Sequence, residues 1–152
     1  MARSPGCFYC VSFLKSLLFV IIFVKVIING GLYMSLTMYW YPNCGSCKKA
    51  KKWFDDHEID YQLIHIVEDP PNEETLKDLI EKSGLEAKKF FNTSGKVYRE
   101  QNMKEKIKDA TVDEMVGYLA SNGMLIKRPI VTDGKKVTVG FKEETFENTW
   151  GN

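Results

Sequence analysis

The sequence has little cysteine and histidine and no excess of either charge. Four cysteines and two histidines occur in 152 residues, and the formal net charge is only +1. The cysteines form two C-x-x-C pairs, which is not the framework of a disulfide-rich secreted domain. The near-neutral charge gives no argument for binding to nucleic acid or to anionic membranes. Repeats and low-complexity tracts are absent, so the length suggests one domain, with at most an appendage.

Long hydrophobic runs are also absent, except in a leader-like segment at residues 1–33. An apolar run at 11–28 follows a basic start and contains Lys25 well inside it. One interpretation is a membrane anchor through 11–28, although a lysine inside the bilayer is costly. A second is a signal peptide, although no A-x-A cleavage site follows and export would place the thiols in an oxidising space.

A third interpretation treats the leader as a start-site artefact. Residues 29–34 can be encoded by a translated ribosome-binding site followed by an initiation codon, and Met34 stands just before the first predicted strand. We favour this interpretation, with residues 34–152 as the globular domain. Cys7 and Cys10 lie in the leader and are therefore given little weight.

The most informative motif is Cys44-Gly45-Ser46-Cys47. It follows an apolar run, 36–41, and opens a lysine-rich segment with helical periodicity, 48–57. A strand, a C-x-x-C turn and a helix are typical of a thioredoxin-like redox site. A helix N-terminus presents unpaired N–H groups and positive potential, which lower the pKa of a thiol placed there. Cys44 is therefore the predicted nucleophile, and Cys47, one turn later, can attack an adduct on Cys44.

The rest of the chain predicts an α/β fold of the thioredoxin-like type, β-α-β and then β-β-α, with a helical insertion between the halves. Asn43 is the predicted cap of the first helix, and Ala50, Trp53, Phe54 and His57 its inward face. A capping box at Thr111 and Glu114 begins a later helix. The predicted strands are 36–41, 60–67, 128–131 and 137–140, and the predicted helices are 48–57, 73–83, 104–109, 111–121 and 141–150.

A zinc half-site is the main alternative for the cysteine pair. It needs two further ligands, and the spacing of His57 and His65 from the cysteines fits no zinc pattern. We therefore predict no metal. His65 lies in an apolar strand and is interpreted as a structural residue. The lysine run after the motif is a typical solvated face, although Lys48 is close enough to lower the pKa of Cys44.

Four stretches together resemble the ArsC/Spx family: 41–50, 90–99, 122–130 and 139–144. They contain C-x-x-C, an F-N-T-S-G loop, R-P-I and V-G-F. The resemblance covers about 34–150. The family contains glutaredoxin-coupled arsenate reductases, the redox regulator Spx, which binds RNA polymerase, and many uncharacterised thiol proteins.

The resemblance also implies which residues bind an oxyanion. The arsenate reductases surround their cysteine with three arginines, and Arg128 matches the one in R-P-I. Asn92 stands where the second falls, and the third, near Gly140, is not matched. Arg99 is a candidate substitute. The Spx arginine beside the mid-chain loop aligns with Ser94. Weaker oxyanion binding than in arsenate reductases is therefore expected.

These observations predict a cytoplasmic thiol–disulfide oxidoreductase of the ArsC/Spx family. Alternatives are an arsenate reductase proper and an Spx-like regulator that binds RNA polymerase. No bound cofactor is expected; an external protein, thioredoxin or glutaredoxin with a low-molecular-weight thiol, would supply electrons. Direct nucleic-acid binding is not expected, and membrane contact only through the leader. The predicted catalytic residues are Cys44, Cys47 and Arg128, and the predicted substrate-binding residues are Gly45, Ser46, Lys48 and Pro129, the last as a candidate cis proline.

Overall fold

A computed structural model describes residues 35–151, which form a four-stranded mixed sheet with helices on both faces. The elements follow the predicted order, and short 3₁₀ turns at Ala87–Phe90 and Gly123–Leu125 connect some of them. The strands are β1 (Leu36–Trp40), β2 (Tyr61–His65), β3 (Ile130–Thr132) and β4 (Val137–Val139), and the helices are α1 (Gly45–Asp56), α2 (Glu73–Ser83), α3 (Lys96–Glu100), α4 (Met103–Lys106), α5 (Val112–Ser121) and α6 (Glu143–Trp150).

The strand order in the sheet is β2-β1-β3-β4. β1 is parallel to β2 and antiparallel to β3, and β3 is antiparallel to β4. This confirms the predicted thioredoxin-like plan, with α2 to α5 as the insertion between its halves. Tyr39 pairs with Ile130, and Ile130 pairs with Val139. The C-terminal end of β1, the N-terminal end of β3 and the C-terminal end of β4 therefore lie side by side at the same end of the sheet.

One face of the sheet packs against α1 and α6. Met38 of β1 and Val131 of β3 are paired and fully buried there, facing aromatic side chains of both helices. Burying a large apolar side chain stabilises the fold by about 1.5–3 kcal/mol. This first cluster consists of Leu36, Met38, Ala50, Trp53, Phe54, Val131, Phe146 and Trp150.

The opposite face packs against the insertion. Ile130 of β3 and Val137 of β4 contact a second, larger apolar cluster that includes side chains of α2 and α5. The two clusters hold α1 and the insertion on opposite sides of one sheet. The largest fully buried side chains on the insertion side are Phe90, Phe91, Ile66, Leu76, Met103, Leu119, Leu125, Ile126 and Ile130.

Helix ends in the insertion follow the predicted capping rules. The Thr111 side chain accepts from the Glu114 N–H at 3.3 Å, and the Glu114 carboxylate accepts from the Thr111 N–H at 2.7 Å. This confirms the capping box. Asn72 caps α2 at the Thr75 N–H, and Gly84 ends α2 with φ of 64°, a left-handed conformation that favours glycine.

Two local predictions are wrong, and one short helix was not predicted. Asn43 does not cap α1, because the Cys44 N–H donates to Tyr41 O at 3.0 Å and closes a turn, so that Cys44 is the N-cap. His57 is not on the inward face; it is exposed, and its ring stacks on Trp53 with centroids 3.9 Å apart. The short helix α3 was not predicted, since five residues are too few for a clear period.

No helix within residues 35–151 is long and apolar enough to cross a membrane. The predicted leader, including the apolar run 11–28 and the Cys7–Cys10 pair, lies outside the described residues.

Candidate functional site

Cys44 lies at the N-terminal end of α1, as the N-cap residue. The first helical hydrogen bond runs from the Lys48 N–H to Cys44 O at 3.1 Å. The amides of Gly45, Ser46 and Cys47 precede that bond, so they are the free donors of this helix end. The Cys44 side chain is partly exposed beside them. A thiolate or a bound anion at this position is stabilised by the donors and the helix dipole.

Cys47 differs from Cys44 in its environment. It is fully buried, and both cysteines are free thiols. Burial raises the pKa of Cys47 to about 12, and a hydrogen bond to the Cys44 side chain and the negative charge of Cys44 add to this. A hydrogen bond from the Tyr41 backbone and the charge of Arg128 act in the opposite direction. At neutral pH Cys47 is therefore a protonated thiol in contact with Cys44.

Arg128 is half-buried and approaches the cysteine pair from the start of β3. Its Cζ lies 5.0 Å from the centroid of the Tyr41 ring, a cation–π contact. Its Nη1 lies 3.1 Å from Sδ of Met124 and donates to it. These two contacts fix the guanidinium beside the site without neutralising it, because neither partner is a carboxylate.

Tyr41 is the site residue that sequence reasoning missed. It is partly buried at the rim of the second cluster, and its ring also contacts Arg128 and His65, the latter with ring centroids 5.6 Å apart. His65 Nδ1 accepts from the Glu68 N–H at 3.2 Å, which fits the structural role predicted for it. The sequence did contain a signal for this role: Tyr41 directly follows strand β1 and precedes Cys44 by only three residues.

The remaining predicted site residues lie around the pair. Pro129 is buried, its bond to Arg128 is cis as predicted, and its carbonyl accepts from the Gly140 N–H at 2.7 Å. Gly45, Ser46 and Lys48 are exposed on the first turn of α1. The structure thus brings Cys44, Cys47 and Arg128 together.

No arginine stands at the positions of the two unmatched arginines: Asn92 is neutral, and the cations near Gly140 are lysines, Lys127 and Lys142. The Asn92 side chain points back into its own loop, where its Oδ1 accepts from Ser94 Oγ at 3.3 Å. Phe141, which follows Gly140, packs against Phe146 with centroids 4.8 Å apart. Arg99 is exposed on α3. Arg128 is thus the one arginine of residues 35–151 shown near the cysteines.

A metal ion has no evident position in the described part of the chain. No three side chains of histidine, cysteine, aspartate or glutamate within residues 35–151 are grouped so that they could hold one.

The fold and the C-x-x-C turn define a thioredoxin-like thiol protein, and comparison with known proteins gives its family. Residues 39–149 match the ArsC family. The chain is 62% identical over 117 residues to the uncharacterized protein YusI of Bacillus subtilis, covering 77% of this chain and 99% of that protein. The protein belongs to the ArsC family.

Two further relatives show the range of the family. The global transcriptional regulator Spx of Enterococcus faecalis is 32% identical, over 72% of this chain and 81% of that protein. The crystal structure of an ArsC family related protein from Bacteroides fragilis is 46% identical, with a TM-score of 0.73, over 75% of this chain and 96% of that one. The predicted family and fold are therefore confirmed, while the family's members differ in role.

The contrast between the two thiols predicts selective alkylation. At about pH 8, iodoacetamide should modify Cys44 in the folded protein, because its thiol is partly exposed at the helix end and can be reached by the reagent. Cys47 should remain unmodified, because it is buried and its pKa is about 12. Peptide mass spectrometry with and without urea measures both sites. Equal labelling of the two cysteines in the native protein would contradict the assignment.

Proposed function

We propose that this protein is a thiol–disulfide oxidoreductase in which Cys44 is the nucleophile and Cys47 the resolving residue. One observation carries the proposal: a partly exposed thiol at a helix N-terminus contacts a buried, protonated thiol one turn later. The first can reach a substrate, and the second is kept from reacting with solvent oxidants until it is needed.

The reaction proceeds in two thiol–disulfide exchange steps. The Cys44 thiolate attacks one sulfur of a substrate disulfide, a mixed disulfide forms, and the second substrate sulfur leaves as a thiolate. Cys47 then loses its proton to the medium and attacks the Cys44 sulfur. The Cys44–Cys47 disulfide forms and the first substrate sulfur leaves as a thiolate. The substrate has gained two electrons, and a dithiol reductant returns the protein to its starting state.

The raised pKa of Cys47 is consistent with this order of events. Two of its causes are the hydrogen bond to Cys44 and the negative charge of Cys44. Both end when Cys44 enters a mixed disulfide, while the Tyr41 backbone hydrogen bond and the charge of Arg128 continue to favour the thiolate. The pKa of Cys47 should therefore fall at the step in which it attacks.

Thioredoxin, or glutaredoxin with a low-molecular-weight thiol, is the proposed reductant. A cytoplasmic location is proposed with it, because a reducing compartment keeps both thiols in the free state from which the cycle starts.

An arsenate reductase proper is the second candidate from this family. Arg128 and the free amides of α1 can hold an oxyanion next to Cys44. The neutral Asn92, and the lack of an arginine near Gly140, argue for weaker binding than three arginines would give.

An Spx-like regulator is the third candidate, because relatives at 31–32% identity are named regulators. In that case the disulfide would switch binding to RNA polymerase. Recovery of a polymerase subunit in only one redox state of the protein would favour this role.

NADPH consumption by the full chain tests the proposal. The protein is coupled to thioredoxin with its reductase, and separately to glutaredoxin with glutathione, in the presence of a disulfide substrate or of arsenate. Disulfide-dependent consumption that is lost in Cys44→Ser supports the oxidoreductase. Consumption that requires arsenate would favour the arsenate reductase, and no turnover with either would favour the regulator.

Arg128 should accelerate the first exchange step, the attack of the Cys44 thiolate on the substrate. Replacing Arg128 with glutamine removes the positive charge beside the pair and should slow reaction at Cys44 by roughly tenfold, because a nearby cation favours the reacting thiolate. The rate of Cys44 alkylation as a function of pH measures this. Arg99→Gln removes the same charge from an exposed position on α3 and should leave the profile unchanged. Equal effects of the two variants would contradict the role of Arg128.

A further inference from the structure

β4 is an edge strand of the sheet, and no strand within residues 35–151 pairs with its outer side. The Gly140 N–H donates to Pro129 O, so the pairs 129/140 and 131/138 carry the ladder hydrogen bonds between β3 and β4. Because hydrogen-bonded and non-bonded pairs alternate in an antiparallel ladder, the N–H and C=O groups of Val137 and Val139 point away from the sheet. Two donors and two acceptors are thus presented in a row for another strand.

Helical elements cover both faces of this strand while leaving its edge open. On one face, Nε1 of Trp150 in α6 donates to Oγ1 of Thr138 at 3.1 Å. On the other, Val137 and Val139 pack towards the insertion cluster. The edge therefore forms the floor of a groove between the end of α2 and α6. We call it the β4 groove; its volume is about 440 Å³, and its lining includes Ser83, Leu85, Thr145 and Thr149.

The β4 groove is positively charged. Lys89, Lys127 and Lys142 line it, and no aspartate or glutamate does. None of these three lysines forms an ion pair within the described part of the chain, whereas Lys51, Lys77, Lys82 and Lys96 do. Leu85 adds an apolar wall, with 43% of its surface exposed.

We propose that the β4 groove binds an extended acidic segment of a partner protein, which adds to the sheet as a strand beside β4. The outward backbone groups of Val137 and Val139 would bond to the segment's main chain, Leu85 would contact an apolar side chain, and the three lysines would pair with carboxylates. Strand addition supplies affinity and the lysines select for negative charge. The groove ends at Gly140, which is hydrogen-bonded to Pro129 at the same end of the sheet as the cysteine pair. A segment bound along β4 would therefore lead towards the cysteines.

A simpler role for the lysines is protection of the edge. Exposed strand edges are commonly protected by lysines, which discourage pairing with a second copy. The two roles predict opposite results when the lysines are removed: loss of affinity for an acidic peptide in one case, and self-association without any peptide affinity in the other.

Binding of a fluorescein-labelled peptide that alternates valine with glutamate to the full chain tests the proposal by fluorescence anisotropy. Wild-type protein should bind the peptide, and the triple variant K89Q/K127Q/K142Q should bind about tenfold more weakly. The matched variant K104Q/K106Q/K108Q removes the same charge from exposed positions outside the groove and should bind like wild type.

A second probe tests strand addition without changing the protein. Two versions of the peptide carry N-methyl groups, one on the odd and one on the even residues. Each keeps its charge but loses the N–H donors on one side of the strand. Only the version that loses the donors facing β4 should lose binding. Equal binding of both methylated versions, or equal loss in the two triple variants, would overturn the proposal. Displacement of the peptide by oligothymidine would point to a general polyanion surface, and self-association of K89Q/K127Q/K142Q without peptide binding to edge protection; either would also overturn it.

Discussion

Replacing Cys47 with serine is expected to leave the protein covalently joined to its substrate. Cys44 still attacks, but the thiol that would displace the substrate is gone, so the mixed disulfide accumulates. Because Cys47 attacks from within the same helix end, its effective concentration far exceeds that of any free thiol. Turnover without added thiol should fall by about 100-fold or more. Intact-protein mass spectrometry under non-reducing conditions should show the mass of the adduct.

The matched variants separate this role from a structural one. Cys44→Ser should form no adduct, because Cys47 is buried and protonated at neutral pH. Cys47→Ala should trap the same adduct as Cys47→Ser, which shows that the missing thiol and not the new hydroxyl is responsible. Normal turnover by Cys47→Ser would exclude Cys47 as the resolving residue and leave Cys44 acting alone with external thiol.

The parts of the site that were predicted depend on short stretches of sequence. The C-x-x-C turn fixes the distance between Cys44 and Cys47, and the apolar run before it fixes the strand from which the turn leaves. The capping box at Thr111 is likewise contained in four residues. Such features are local, so their physics is visible without the fold.

The parts that were not predicted require contacts between distant elements. Tyr41 leaves the end of β1 and Arg128 stands at the start of β3, so their stacking becomes visible only when these strands are neighbours. The β4 groove likewise joins Lys89 of the insertion to Lys127 and Lys142. In the sequence each of these lysines looks like an ordinary solvated residue.

Replacing Gly123 with alanine is expected to cause a large loss of stability, because, of the glycines for which the close approach is known, Gly123 has the tightest. A Cβ at this position would lie 1.9 Å from Ile66 O and 2.8 Å from the Ile66 carbonyl carbon. Both atoms are backbone, and Ile66 is held in place because its N–H donates to Trp40 O at 3.0 Å. The neighbour therefore cannot rotate away as a flexible side chain would.

The conflict must be relieved by moving one of two constrained segments. One is the chain after β2, fixed to β1 through Trp40. The other is the turn Gly123–Leu125, whose Met124 contacts Arg128. Overpacking of this kind costs about 3 kcal/mol or more when backbone has to shift. Urea unfolding should show this loss in the free energy of unfolding, and Cys44 alkylation should slow if the turn carrying Met124 is the segment that moves.

Gly117→Ala is the matched control for this variant. Gly117 lies inside α5, and a Cβ there would meet only Glu73 Oε1, at an ordinary 3.8 Å. Since alanine is a better helix former than glycine, this change should stabilise the protein by about 0.5–1 kcal/mol. The two substitutions add the same methyl group and are expected to have opposite signs. If Gly123→Ala were as stable as wild type, the close approach of the Gly123 turn to Ile66 would be wrong, and with it the packing that places Arg128.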